Sequence, residues 1–221
     1  MLEAIGSVLP LGLAVALSSV PIMATTFILL STNRDRTTIP FVAGWVLGIF
    51  AVALLFTAGF RALPRPTTAA RDPLLGWIEV LLGIALVVLA WIVWRRTSGA
   101  RPQSTPKWLA AVGRLGPVPA FGLALGMNIR PKALLVSATV GVAINTTDAD
   151  TSDSLVALAV YTAIGASSVL TPVIFTYASP DRAERMLLRT RSWLAANSAV
   201  VTVIVVAMTG VVVFGNGLSR L

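Results

Sequence analysis

The stretch FGLALGMNIRPKALLVSATVGV, residues 121–142, is apolar except for four residues at its centre. These are Asn128, Arg130, Pro131 and Lys132. A cation in the middle of a membrane-spanning segment costs a few kcal/mol even on lenient insertion scales, so two together call for a chemical reason. Arginine offers a planar fork that grips a phosphate, sulfate or carboxylate through two bonds, whereas lysine is a compact point charge. Asn128 adds an amide that can donate. Pro131 breaks the helix, and the half-helix after it presents backbone N–H groups to an anion. The cluster reads as a site for an anionic group. The competing structural reading has Arg130 snorkelling to a shallower depth or ion-paired to Glu79, the only acid inside a span.

Other polar residues interrupt the apolar runs. Pro21 follows Ser18 and Ser19 within the first run and is expected to break that helix as Pro131 breaks its own. Ser167, Ser168, Thr171 and Pro172 read as a third polar break, and Asn197 is an amide near the start of the last run. With Glu79 these complete the candidate substrate-contacting set. No catalytic arrangement is expected. The chain has no cysteine and no histidine, which removes thiol chemistry and the commonest transition-metal ligands, and a lone Glu79 makes no acid–base pair. Neither an enzyme nor a metal or cofactor site is predicted.

The elements that must position these residues are helices in a membrane. The 221 residues are 56% apolar and 12% charged, with a mean hydropathy of +0.86, and soluble domains carry about twice that charge fraction. Apolar runs long enough to cross about 30 Å of hydrocarbon fall at roughly 5–30, 39–60, 73–94, 117–144, 154–178 and 193–215. The expected fold is all-α, a multi-pass plasma-membrane protein with six transmembrane helices. Glu3 and the lack of a basic n-region make the first run a retained helix rather than a cleaved signal. Of 17 Lys and Arg, 11 lie in the first, third and fifth loops, and the fourth loop carries Asp148, Asp150 and Asp153 with no cation. Both termini are therefore expected outside and the basic loops in the cytoplasm, with Arg61, Arg65 and Arg71 counting the other way. The net charge of +8 is interleaved with the spans and reads as attraction to anionic lipid, with no nucleic-acid partner. The stretch PKWLAAVGRLG suits a short interfacial helix, and Ser179-Pro180-Asp181 reads as a helix start.

A shift of 110 residues lays GLAVALSSVP (12–21) on GLALGMNIRP (122–131), with Gly, Leu, Ala and Pro coincident at four of ten positions. GWVLG (44–48) falls near YTAIG (161–165) more loosely. Each half then holds three spans. An odd number inserts the second half upside down, the plan of transporters whose sites lie at mid-membrane on broken helices. The expected organisation is a first repeat at 1–94, a basic cytoplasmic linker at 95–116 and a second repeat at 117–221, with helices one and four broken. Small residues four apart (Gly12/Ala16, Gly122/Gly126, Gly44/Gly48) suit close helix packing, the last pair within a protomer or across a homodimer.

LPLGLAVALSSVPIMATTFILLS, FVAGWVLG and NIRPKALLVSATVG together resemble the GAP/Sap proteins, which address glycopeptidolipids and sulfolipids in mycobacteria and relatives, within the LysE transporter superfamily. The resemblance covers essentially the whole chain. Its best motif is Asn128-x-x-Pro131-Lys132, with Pro21 as the first-half partner. Many relatives have proline where this chain has Ser19. The resemblance implies a small six-span exporter of a cell-envelope lipid, or an accessory of lipid export. The leading expectation is a secondary exporter of a small anionic or zwitterionic amphiphile, a lipid or amino-acid-like molecule, by alternating access. The alternative is a non-transporting scaffold. A metal-ion exporter fits badly, because the deepest charges are cations.

Overall fold

The computed structural model describes residues 1–62, 68–97, 112–147 and 149–218. The stretch around Trp108, most of the linker, Arg65 and Asp148 lie outside the described residues. Every regular element among the described residues is helical: α1 (Leu2–Ala16), α2 (Ser19–Leu29), α3 (Arg34–Ala62), α4 (Thr68–Thr97), α5 (Pro117–Gly126), α6 (Pro131–Thr146), α7 (Thr151–Ala178) and α8 (Pro180–Leu218). A 3-10 turn, Met127–Ile129, joins α5 to α6.

By length and composition α3, α7 and the 76–95 part of α4 can each cross a membrane, and α1 with α2 makes a fourth span bent by 52°. The six expected spans are thus only partly matched, because α5 and α6 are short pieces on either side of a break and the apolar part of α8 is Val203–Leu218. Large apolar side chains such as Leu13, Leu55, Leu81, Ile174 and Met208 face outward. Hydrocarbon is as apolar as they are, so this exposure carries no penalty in a bilayer. The chain is a membrane protein.

The breaks have local causes. Pro21 lacks the N–H that would bond the Leu17 carbonyl, and its ring clashes there, so α1 ends at Ala16 and the chain restarts at Ser19. Ser18 takes the N-cap position in extended conformation (ψ 115°) without a side-chain capping bond. Ser19 is the first residue of α2, and it is buried. In the second break Pro131 drives Arg130 out of the helical region, to φ −73° and ψ 150°, and itself takes the first position of α6. Pro180 starts α8 as its sequence context predicts.

The third expected break is absent. α7 runs unbroken from Thr151 to Ala178 through Pro172. Here one lost hydrogen bond, to the Ser168 carbonyl, is tolerated because α7 is held against α1 by the close contacts at Gly12 and Gly165. Pro10 and Pro40 likewise lie inside continuous helices.

Close approaches at small residues set the packing. A Cβ on Gly12 would meet Tyr161 and Ile164, and one on Gly165 would meet Val15, so α1 and α7 run parallel in register. Gly44 backs onto Phe121 and Ala124, and Gly48 onto Leu125 and the Asn128 amide, so α3 and α5 are also parallel. Gly83 against Phe214, Gly210 against Leu86 and Gly217 against Val80 make α4 and α8 an antiparallel pair. The Gly44/Gly48 face is therefore consumed inside the protomer. Gly122 and Gly126 meet nothing nearby, so the second copy of the Gly12/Ala16 pattern does not repeat its packing role. Gly48→Val should destabilise the protein by about 1–3 kcal/mol, the range for overpacking a tight contact. A thermal melt in detergent reads this, and an unchanged melting temperature would mean that Asn128 yields freely.

Candidate functional site

Both breaks open onto one cavity. It holds about 60 Å³ and is lined by Val15 and Ser18 from the first break, Met127, Asn128, Arg130 and Lys132 from the second, and Trp45, Ser137 and Tyr161 from the surrounding helices. That is room for a few waters or one small anionic group. Its depth follows from the packing. Gly48, which abuts Asn128, is the central residue of the 29-residue α3, and Gly165, which abuts Val15, lies at the middle of α7. The cavity thus lies at the mid-length of α3 and α7.

Electrostatically the site is one-sided. No Asp or Glu lines the cavity, and no acid among the described residues pairs with Arg130 or Lys132. Pro131 removes the N–H that would have served the Met127 carbonyl, and Arg130 Nε donates to that carbonyl at 3.0 Å. The guanidinium is thereby anchored by one edge, and among the described residues no further hydrogen bond engages its terminal nitrogens. Lys132 Nζ is enclosed and has no hydrogen-bond partner among the described residues, and the same holds for Trp45 Nε1. The backbone N–H groups of Lys132 and Ala133 belong to the first turn of α6, whose donors have no partner within the helix. The Tyr161 hydroxyl meets the Ser137 side chain at the far wall. Donors thus outnumber acceptors around a cationic space, an arrangement chemically suited to an anionic group.

The expected residues divide between this cavity and other places. Ser18, Asn128, Arg130 and Lys132 line it, and Pro21 and Pro131 cause the breaks that form it. Asn128 differs in one respect from its expected role as a free donor. Its Nδ2 bonds the Ala124 carbonyl at 3.1 Å, because at mid-membrane an amide one turn after a carbonyl finds its nearest acceptor on its own helix. Ser167, Ser168, Thr171 and Pro172 line a separate groove of about 310 Å³ with Ile22, Thr26 and Phe175. Glu79 is buried on α4 beside Gly217 of α8 and makes no ion pair with Arg130 or Lys132. Asn197 bonds the Trp193 carbonyl of its own helix at 2.9 Å.

The family described as Sap, sulfolipid-1-addressing protein, matches residues 8–219. The chain belongs to this family. No curated protein and no solved structure matches the chain. In this Sap-family protein the sequence reading misses Trp45, Ser137 and Tyr161. Trp45 and Tyr161 fall within the loosely aligned GWVLG and YTAIG stretches, which is the signal that points to them.

At the end of the molecule where α3 stops, Arg61 donates to Thr151 Oγ1 (3.1 Å), the Ala149 carbonyl (3.0 Å) and Ser154 Oγ (3.0 Å). Asn145 Nδ2 bonds the Thr57 carbonyl at 2.9 Å close by. Asp150 caps α7 there, and the Asp153 amide N–H, aided by the Ser152 hydroxyl, holds its carboxyl below the ordinary carboxylate range. At the opposite end a polar basin of about 550 Å³ lies among Ser31, Thr32, Arg34, Asp35, Thr176 and Pro180.

Proposed function

We propose that this Sap-family protein is a secondary exporter in the plasma membrane that moves an anionic amphiphile of the cell envelope by alternating access. The observation that carries the reading is the meeting of two helix breaks at mid-depth on one cavity with two cations and no acid. The family description, which speaks of addressing a sulfolipid, agrees with an anionic lipid as cargo.

The architecture behind this reading is six spans in two inverted halves, as in transporters of the LysE type. The packing supports it. Gly165 meets Val15 in one place and Gly48 meets Leu125 in the other, and Val15 and Leu125 are partners in the 110-residue register. Exchanging the halves exchanges the parallel pair α1/α7 with the parallel pair α3/α5, and the antiparallel pair α4/α8 maps onto itself. Arg61 contacts the start of α7, which runs alongside α1, so α3 ends where α1 begins.

On this reading the Arg61 hydrogen bonds form the closed gate, and the basin at the opposite end is the entry side. By the distribution of basic residues the basin faces the cytoplasm. Arg61, which counts against that orientation, is engaged by the α7 terminus and is not a free topological charge. On the cysteine-free chain, an impermeant thiol reagent added outside should label Ser152→Cys and spare Thr32→Cys. The reverse pattern would invert the assignment.

A second reading, a scaffold that assists a larger export system, also fits the family description. Proteoliposomes separate the two. A fluorescent single-chain anionic lipid in the inner leaflet should reach the outer leaflet faster with the purified protein than without it. A scaffold acting alone moves nothing.

A further inference from the structure

The cationic cavity is too small for an amphiphile. At about 60 Å³ it takes a charged head and leaves a hydrocarbon chain to be placed elsewhere. The groove between α2, α7 and α8 is about five times larger, at about 310 Å³, and its wall is apolar apart from hydroxyl side chains. The groove and the cavity are flanked by the same two helices. Ser18, the N-cap of α2, is at the cavity and one turn from Ile22 in the groove. On α7, Tyr161 at the cavity is two turns, about 10 Å, from Ser168 in the groove.

Ser168 marks this groove as more than a packing gap. Serine and threonine in these helices bond carbonyls of their own helix three or four residues back, as Ser167, Thr162, Thr25 and Thr176 do. The Ser168 hydroxyl is enclosed and has no partner. Its carbonyl is also the one whose helical N–H partner Pro172 removes. One residue therefore sets an unused donor beside a freed acceptor in a wall of hydrocarbon and hydroxyl-bearing side chains. Such a pair suits a hydroxyl or amide, which accepts and donates at once.

We propose that the α2/α7/α8 groove holds a hydrocarbon chain of the same molecule whose anionic group sits at Arg130 and Lys132, with Ser168 receiving a hydroxyl or amide in the linker between head and chain. The proposal rests on the anion-site reading above and extends it to the shape of the cargo: a charged group, a polar spacer of about 10 Å, a hydrogen-bonding linker and a chain. The chain stays in a hydrocarbon-like wall while the head crosses, so the tail need not leave an apolar environment during export.

The test uses the full-length protein in nanodiscs and three probes. Sulfatide (sulfogalactosylceramide) has the sulfate, sugar spacer, amide linker and chains, galactose sulfate is the head alone, and galactosylceramide has no charge. Ser167→Trp and Thr171→Trp each place bulk in the groove from an exposed position, which spares the core. Either should weaken sulfatide binding about tenfold and leave galactose sulfate within about twofold. Ser168→Ala should weaken sulfatide about threefold to tenfold with the same indifference to galactose sulfate. If both tryptophan variants fold and bind sulfatide like the parent, the groove is not the chain site and the proposal is overturned. It is overturned equally if they weaken galactose sulfate as much as sulfatide, since the effect then lies at the head. Arg130→Gln distinguishes the underlying reading. Loss of discrimination between sulfatide and galactosylceramide in that variant is expected, and retention of it would remove the head site while leaving the groove result standing.

Discussion

Arg130→Gln should reduce export of an anionic lipid by roughly tenfold to a hundredfold, the worth of one or two hydrogen bonds to a charged group. The folded protein should survive the change. Glutamine is neutral and easier to bury, and its amide can still reach the Met127 carbonyl that Arg130 Nε now holds at 3.0 Å. Lys132→Met should match it in export loss and raise stability, because an enclosed ammonium without a partner is replaced by an apolar chain of similar length. Arg130→Lys should recover part of the activity, since it keeps the charge and loses the fork. Initial rates in proteoliposomes, with melting temperatures measured alongside, provide the check. Unchanged rates in both neutral variants, together with a large melting loss in Arg130→Gln, would make the cluster structural and leave the cavity without a role.

The second large effect is expected at Arg61. Three hydrogen bonds join its guanidinium to Ala149, Thr151 and Ser154, and alternating access requires this end to open. Removing bonds worth about 1–2 kcal/mol in total shifts the closed–open balance by roughly tenfold. A single cysteine at Ser137, on the cavity wall, should react with an impermeant reagent from outside about tenfold faster in the Arg61→Ala background. Equal rates in the two backgrounds would mean that Arg61 fixes the loop and controls no gate.

Much of this site can be read from residue types, and the reasons differ from residue to residue. The break at Pro131 is legible because proline acts on its immediate neighbours: it forces Arg130 extended and frees a carbonyl four residues back. The start of α8 at Pro180 is legible for the same reason. Pro172 shows the limit of that logic. Proline removes one hydrogen bond in any helix, but whether the helix breaks depends on packing and on carbonyl satisfaction, and neither is local in sequence. By residue type Asn128 suits donation to a ligand, but its amide serves the Ala124 carbonyl, a competition decided by proximity along the helix. As the lone acid in a span Glu79 suits a place beside the cations, yet α4 packs on α8 and carries it to Gly217. Tyr161 and Trp45 enter the cavity through the pairing of α7 with α1 and of α3 with α5, which no single helix encodes.

The glycine contacts of α3 bear on how the chain enters the bilayer. α5 has ten residues and ends at a break followed by two cations, so as a separate segment it is too short and too costly to insert by itself. α3 is long, apolar and synthesised first, and its Gly44 and Gly48 leave the slots that Phe121, Ala124 and the Asn128 amide fill. Biogenesis therefore has a built-in order, in which the charged half-helices are accepted by a helix already in place. On the proposed reading, the residues that would hold the cargo enter the membrane as guests of glycines that do not line the cavity.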